Sequence, residues 1–486
     1  MTSLLGLLNS GMPDATALAA AVRGGEITAA EVLALARGAD DPDWNIFVTA
    51  DWTGAEAVAR RIDEKRSRGE ELGALAGVPI TVKDVLAVAG LPATAACKAL
   101  SGNIATVTAP VVARLLAADA VLLGKTNCPE FAFGVTCDSP LVGRTRNPRF
   151  PTHSPGGSSG GEAAALAAGV SALGVGTDFG GSLRWPAQCV GITALRPTAG
   201  RLPAQGQLPG TAGDSGSDPT ARPGGMQGWL QTPGPLARSV RDLRLTLRLM
   251  AGPPPDLTAS PLPGLTAGPP PGFAAGPAPS ATERRIGRLR VVWSDGAHLG
   301  PVRAEITALL ADLATRLAER GHAVTNEPRV FDCLDAYNRL RAVDPLHDHL
   351  AAIAGSEDLV TAANRRTFAD SLRATAAETR TARIEAEHAQ TEALTVFERA
   401  DIVLLPVAGG PACDPDGRLE VDGRLLEGWE LMGQCRAVSL TGAPAVSIPL
   451  GRSAEGLPLS VQVVAAPGRD EFALDAAELL ESLAPA

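Results

Sequence analysis

Two serines 24 residues apart, each set in a glycine-rich turn, stand downstream of a lysine that closes an apolar run. The first turn is Pro155-Gly156-Gly157-Ser158-Ser159-Gly160-Gly161, and the second is Asp178-Phe179-Gly180-Gly181-Ser182-Leu183-Arg184. Glycines leave backbone N–H groups open to a common point, because no Cβ blocks the approach. The N–H groups of Phe179, Gly180, Gly181 and Ser182 therefore suit an oxyanion hole beside the Ser182 hydroxyl. The lysine is Lys83, in Gly77-Val78-Pro79-Ile80-Thr81-Val82-Lys83-Asp84. Burial lowers a lysine's pKa and leaves a neutral amine near pH 7, which serves as a general base. The chemistry implied is amide cleavage by a serine that a lysine, rather than a histidine, activates.

Each motif has a plainer alternative. Ser182 fits the N-cap of a strand-to-helix turn. Lys83 fits a strand end that snorkels to water. Asp178 and Arg184 flank the second turn and read as an ion pair that shapes it. Gly157-Ser158-Ser159-Gly160-Gly161 also matches the G-x-S-x-G nucleophile elbow. That elbow needs a strand directly before it, and residues 146–155 do not read as one. It also needs a late histidine, and the last, His388, lies in a charged helical run. A phosphate loop would end in GK[ST], which is absent. Gly174 to Gly180 has GxGxxxG spacing rather than that of a dinucleotide loop.

The elements that must hold these residues alternate between strand and helix, which argues for an α/β fold. Helices are expected at 14–24, 28–37, 53–68, 109–118, 161–169, 301–320 and 366–399. Thr28 to Glu31 forms a capping box. Strands are expected at 78–82, 120–124, 170–175, 289–293 and 402–406, with a final pair at 443–450 and 459–464. Along 78–83, period-2 alternation puts Val78, Ile80 and Val82 on one face and Thr81 and Lys83 on the other. Two Gly/Pro-rich stretches, 203–228 and 252–280, read as surface loops. The first lies between two motifs, where it would line or cover a substrate entrance.

Composition bounds the rest. At 486 residues and 45% hydrophobic, the chain can build a large core without staples. Aromatics are only 3%, so Ala, Leu and Val must fill that core. A net charge of −10 with no basic tract argues against nucleic-acid binding. Seven scattered cysteines form no CxxC or Cys/His cluster, so neither a disulfide framework nor a metal site is expected. No signal peptide or membrane span is legible, which makes the cytoplasm the expected location.

Taken in order, the motifs closely resemble the amidase signature family. The likeness runs through Gly77 to Asp84, Gly124-Lys125-Thr126-Asn127-Cys128-Pro129-Glu130-Phe131, Arg146-Asn147-Pro148, Pro155 to Gly161 and Gly176 to Ala187. It continues in Leu195-Arg196-Pro197-Thr198 and Gly234-Pro235-Leu236-Ala237-Arg238-Ser239. It is strong over about 73–250, looser near 401–406 and 442–470, and faint over 251–400. Cys189 and Trp185 depart from the apolar residues expected at their positions.

The resemblance implies one large domain over 1–486, a mixed β-sheet core flanked by helices on both faces. It also implies a Ser–cis-Ser–Lys triad. Ser182 would be the nucleophile, Ser158, on a cis peptide, the bridge, and Lys83 the base. Ser159 would be a supporting donor, with Phe179, Gly180 and Gly181 completing the oxyanion site. The expected substrate is a small-molecule amide, with no metal or organic cofactor, and a homo-oligomer is compatible with all of this. Two alternatives stay open: the amidase subunit of a tRNA-dependent glutamyl/aspartyl amidotransferase, and a non-catalytic homologue acting as a binding protein. Trp185, Trp229, Trp429 and Phe131 are the aromatic candidates for a pocket.

Overall fold

A computed structural model describes residues 12–209, 224–252 and 287–483. Its main strands are β1 (Phe47–Ala50), β2 (Pro79–Lys83), β3 (Val121–Thr126), β4 (Leu173–Asp178), β5 (Thr193–Arg196) and β6 (Thr232–Ala237). They continue as β7 (Arg290–Trp293), β8 (Ala323–Asn326), β9 (Ile402–Pro406), β10 (Ala445–Arg452) and β11 (Pro458–Ala465). All eleven share one sheet, in the order β1-β3-β2-β4-β6-β5-β10-β11-β9-β7-β8. β2 runs parallel to β3 and β4, and β7 runs parallel to β8 and β9. The remaining pairs are antiparallel, so the sheet is mixed, as the α/β reading requires.

The fate of Lys83 follows from what covers β2. Val78, Ile80 and Val82 enter the main apolar core with Val22, Val111 and Leu115. The other face, bearing Thr81 and Lys83, meets the helix Gly160–Ala168, whose Glu162 accepts the Thr81 hydroxyl at 2.6 Å. That helix is buried through Leu166, as its run of alanines permits. Its first turn approaches closely: a Cβ on Gly161 would lie 2.5 Å from the Asn127 carbonyl oxygen. With both faces covered, Lys83 has no route to water and is wholly buried.

Several boundaries differ from the sequence reading. The helix expected at 366–399 is two, Ala362–Ser371 and Ala376–Leu394, because Thr375 and Glu378 form a capping box that starts the second. The strand expected at 170–175 begins at Leu173, since the Val170 N–H still caps the preceding helix through the Ala165 carbonyl. β1, β5, β6 and β8 and the helices Val240–Ala251, Leu334–Val343, Gly433–Leu440 and Asp470–Glu481 were not anticipated, and the helix Gly225–Leu230 begins inside the 203–228 stretch read as a surface loop. The loop read at 252–280 lies, beyond Gly252, outside the described residues, as do 210–223 of the 203–228 stretch. All seven cysteines are free thiols in the interior.

Candidate active site

Lys83 closes β2, and Thr177 and Asp178 close the neighbouring parallel strand β4, so two adjacent strand ends bring three polar side chains together. In open α/β sheets the crevice beyond the carboxyl ends of strands is the usual place for a site. Lys83 Nζ donates to Ser158 Oγ at 2.6 Å and to Thr177 Oγ1 at 3.1 Å. Burial pulls its pKa from 10.5 down to about 8, against the nearby Asp178 and Glu162 carboxyls, which favour the ammonium.

Ser158 precedes the helix Gly160–Ala168, and its peptide bond with Gly157 is cis. Ser159 ties the two turns together: its N–H donates to the Ser182 carbonyl at 3.2 Å, and its hydroxyl donates to the Thr177 carbonyl at 3.4 Å. Ser182 is 6% exposed and lines a cavity of about 420 Å³, together with Ser158, Thr177, Phe179 and Gly180. Its hydroxyl has no hydrogen-bond partner among the described residues.

The second turn is held from beneath by Asp178. Arg184 grips that carboxylate with two parallel bonds, Nε to Oδ2 at 3.0 Å and Nη2 to Oδ1 at 2.9 Å. Arg196 Nε lies 3.5 Å from Oδ1, and all three side chains are wholly buried. Burial pushes Asp178 up, but Arg184 and Arg196 overcome it and hold the carboxyl at about 2. The same carboxylate accepts the N–H groups of Gly181 at 2.9 Å and Leu183 at 3.1 Å. This alters the expected oxyanion site. The Gly181 N–H is occupied by Asp178, and three donors remain, on Phe179, Gly180 and Ser182, with no protein acceptor among the described residues. Gly181 still needs to be glycine. Its φ is 124°, and a Cβ there would lie 2.7 Å from Cys435 Cβ.

Removing the anion beneath this turn strands two buried guanidiniums. Asp178→Asn is expected to destabilise the fold by about 3–5 kcal/mol, measured by denaturant unfolding. The native carboxyl titrates below its ordinary 3.8. The stabilisation is therefore complete above that value and is lost as pH falls toward about 2.

Glu162 was not anticipated from sequence. Its carboxyl accepts Thr81 Oγ1 and Thr126 Oγ1, each at 2.6 Å, and burial raises its pKa to about 7 against those bonds. Within an alanine-rich run, an acid in the first helical turn reads only as favourable to the helix dipole.

The cavity walls come from several places. Phe131 and Ala132 adopt left-handed backbone conformations, φ 55° and 62°, and line the cavity with Phe133. The adjacent Glu130 anchors the helix Ala362–Ser371, accepting the Thr361 N–H at 3.1 Å and Asn364 Nδ2 at 2.8 Å. Of the aromatic candidates, Phe131 and Trp429 reach the cavity. Trp185 is buried, its indole N–H donating to the Val135 carbonyl, and Trp229 stacks under Arg383 at 3.5 Å. Gln227, from the described part of the 203–228 stretch, lines the cavity, as do Tyr337, Arg341 and Arg436. Among the described residues no group of side chains is arranged to hold a metal, and no helix is long and apolar enough to cross a membrane.

A sheet of this order, with a buried lysine hydrogen-bonded to a serine at its strand ends, has clear relatives. A family model described as Amidase matches residues 33–474, and the chain belongs to this amidase signature family. The indoleacetamide hydrolase of Bradyrhizobium diazoefficiens is 32% identical over 481 residues, covering 96% of this chain and 85% of its own. A glutamyl-tRNA(Gln) amidotransferase subunit of Chloroflexus aurantiacus is 42% identical over 243 residues, 49% of this chain and 47% of that one. The match thus spans about half the length of such amidotransferase relatives. A solved crystal structure of an amidase superposes with a TM-score of 0.81 at 26% identity, covering 97% of this chain and 100% of that one.

Proposed function

We propose that this protein hydrolyses a carbon–nitrogen amide bond to a carboxylate and an amine or ammonia, through an acyl-enzyme on Ser182. The observation that carries this reading is the 2.6 Å contact between wholly buried Lys83 Nζ and Ser158 Oγ, beside a cavity where the Ser182 hydroxyl has no partner among the described residues. Neutral Lys83 takes the Ser158 proton while Ser158 takes that of Ser182, and Ser182 Oγ attacks the amide carbon. The tetrahedral oxyanion rests on the N–H groups of Phe179, Gly180 and Ser182. The proton returns along the same path to the leaving nitrogen. Water, deprotonated by the same relay, then cleaves the ester and frees Ser182. The substrate is a small molecule, in keeping with a cavity of about 420 Å³.

A fluorophosphonate tests the assignment directly, because it traps an activated serine. Peptide mapping of the labelled wild type should find the adduct on Ser182. An adduct on Ser159 would move the nucleophile and revive the elbow alternative. No adduct on folded protein would favour the binding-protein reading.

A second reading, the amidase component of a tRNA-dependent amidotransferase, draws on the 42% identity over the 243 matched residues. The match to a hydrolase over 96% of this chain and 85% of that one favours the stand-alone enzyme. Stable co-purification with a second protein of such a complex from the native cell would reverse that preference.

A further inference from the structure

We infer that the substrate is an amide bearing a carboxylate, and that Arg341 is the residue that selects it; this rests on the amide-hydrolase reading above. The cavity lined by Ser182 is also lined by two guanidiniums, Arg341 and Arg436, against one carboxylate, Asp344. Arg341 lies in the last turn of the helix Leu334–Val343, one turn beyond Tyr337, so both side chains reach the same cavity.

Arg341 carries five N–H donors. Among the described residues none of them meets an acceptor, and no carboxylate pairs with the group. Its Cζ lies 4.9 Å from the centroid of the Phe133 ring. Asp344 is near enough for its charge to favour the Arg341 guanidinium, but it makes no salt bridge with it, and its Oδ1 accepts the Met226 N–H at 2.9 Å, at the start of the helix Gly225–Leu230. Arg436 is partly satisfied. Its Nη1 donates to Asn338 Oδ1 at 2.6 Å, while its Nε is buried without a partner among the described residues.

Among the described residues, two wholly buried arginines are largely matched, although Arg196 Nε has no hydrogen-bond partner there. Arg184 has an acceptor for Nε, Nη1 and Nη2, and Arg196 uses four carbonyls. Arg341 is only partly buried and differs from both: a planar fork of donors set against an aromatic ring and lining the reaction cavity. A carboxylate matches that fork with two parallel bonds. Two guanidiniums against one carboxylate leave a single net positive charge, which suits a monoanion.

The binding test uses Ser182→Ala, so that no ligand is consumed. A series of ω-carboxylated primary amides, with two to five carbons between the end groups, is titrated by calorimetry beside the uncharged alkylamides of equal length. At least one carboxylated member should bind roughly 30-fold tighter than its uncharged partner. Adding Arg341→Met should erase that advantage, and adding Arg341→Lys should keep part of it. Circular dichroism and melting establish that each double variant is folded. Equal affinities across every pair, or a preference that survives Arg341→Met, overturns the inference.

Wild-type turnover of the same compounds separates the two readings. Hydrolysis of uncharged amides without any carboxylate preference sinks the selectivity and leaves the amidase. Carboxylate binding that depends on Arg341, without turnover of any amide, supports the anion site and counts against the hydrolase.

Discussion

Ser182→Ala should leave a folded protein that no fluorophosphonate labels and whose amide hydrolysis is lower by about 10⁴-fold or more. Losing the nucleophile of a serine relay costs up to about 2 × 10⁶ in kcat in a comparable case, with the remainder supplied by the oxyanion site and binding. The structural cost should be small. The Ser182 hydroxyl donates to nothing among the described residues and lines a cavity, so its loss breaks no bond among them. With no hydrogen bond of that hydroxyl lost among the described residues, a change in stability of less than about 1 kcal/mol is expected. Ser159→Ala provides the contrast. That hydroxyl is wholly buried and donates to the Thr177 carbonyl. Its loss should lower stability by about 1 kcal/mol while labelling persists. Labelling of Ser182→Ala at the wild-type level would end the assignment.

The parts of this site that sequence made legible are those set by local chain geometry. Glycine-rich turns around Ser158 and Ser182 mark where backbone comes close, and the alternation through Lys83 marks a strand. Whether Lys83 is buried was not decidable locally. It depends on the helix Gly160–Ala168 lying over β2, which is a tertiary fact. The status of the Gly181 N–H was likewise hidden, because it turns on where the Asp178 carboxylate points once Arg184 grips it.

β6 was missed for a physical reason. Thr232-Pro233-Gly234-Pro235-Leu236-Ala237 breaks every local rule for a central strand. The ladder to β5 covers only Leu236 and Ala237, so Pro233 and Pro235 have a side on which no N–H is called for. Tyr337, Arg341 and Arg436 come from helices far along the chain, and nothing in their neighbourhoods says that they meet Ser182 across a cavity.

The second large effect belongs to Lys83, and its sign with pH is fixed. Only the neutral amine can accept a proton, and burial places its pKa at about 8. At pH 7 roughly a tenth of the molecules hold it neutral, against well under a thousandth at the ordinary value of 10.5. kcat/KM should therefore climb about tenfold per pH unit below pH 8 and flatten above it. Lys83→Met should lower kcat/KM by about 10²–10⁴-fold and abolish the climb. Lys83→Arg should not restore it, because a guanidinium stays charged. Stability gives an independent check. Between about 8 and 10.5 the unfolded chain holds a proton on Lys83 that the native protein has released. In that window wild-type stability should rise with pH relative to Lys83→Met, by about 3 kcal/mol in all. A wild-type rate that is flat from pH 6 to 9, with no such gain over Lys83→Met, would mean that Lys83 is not the base.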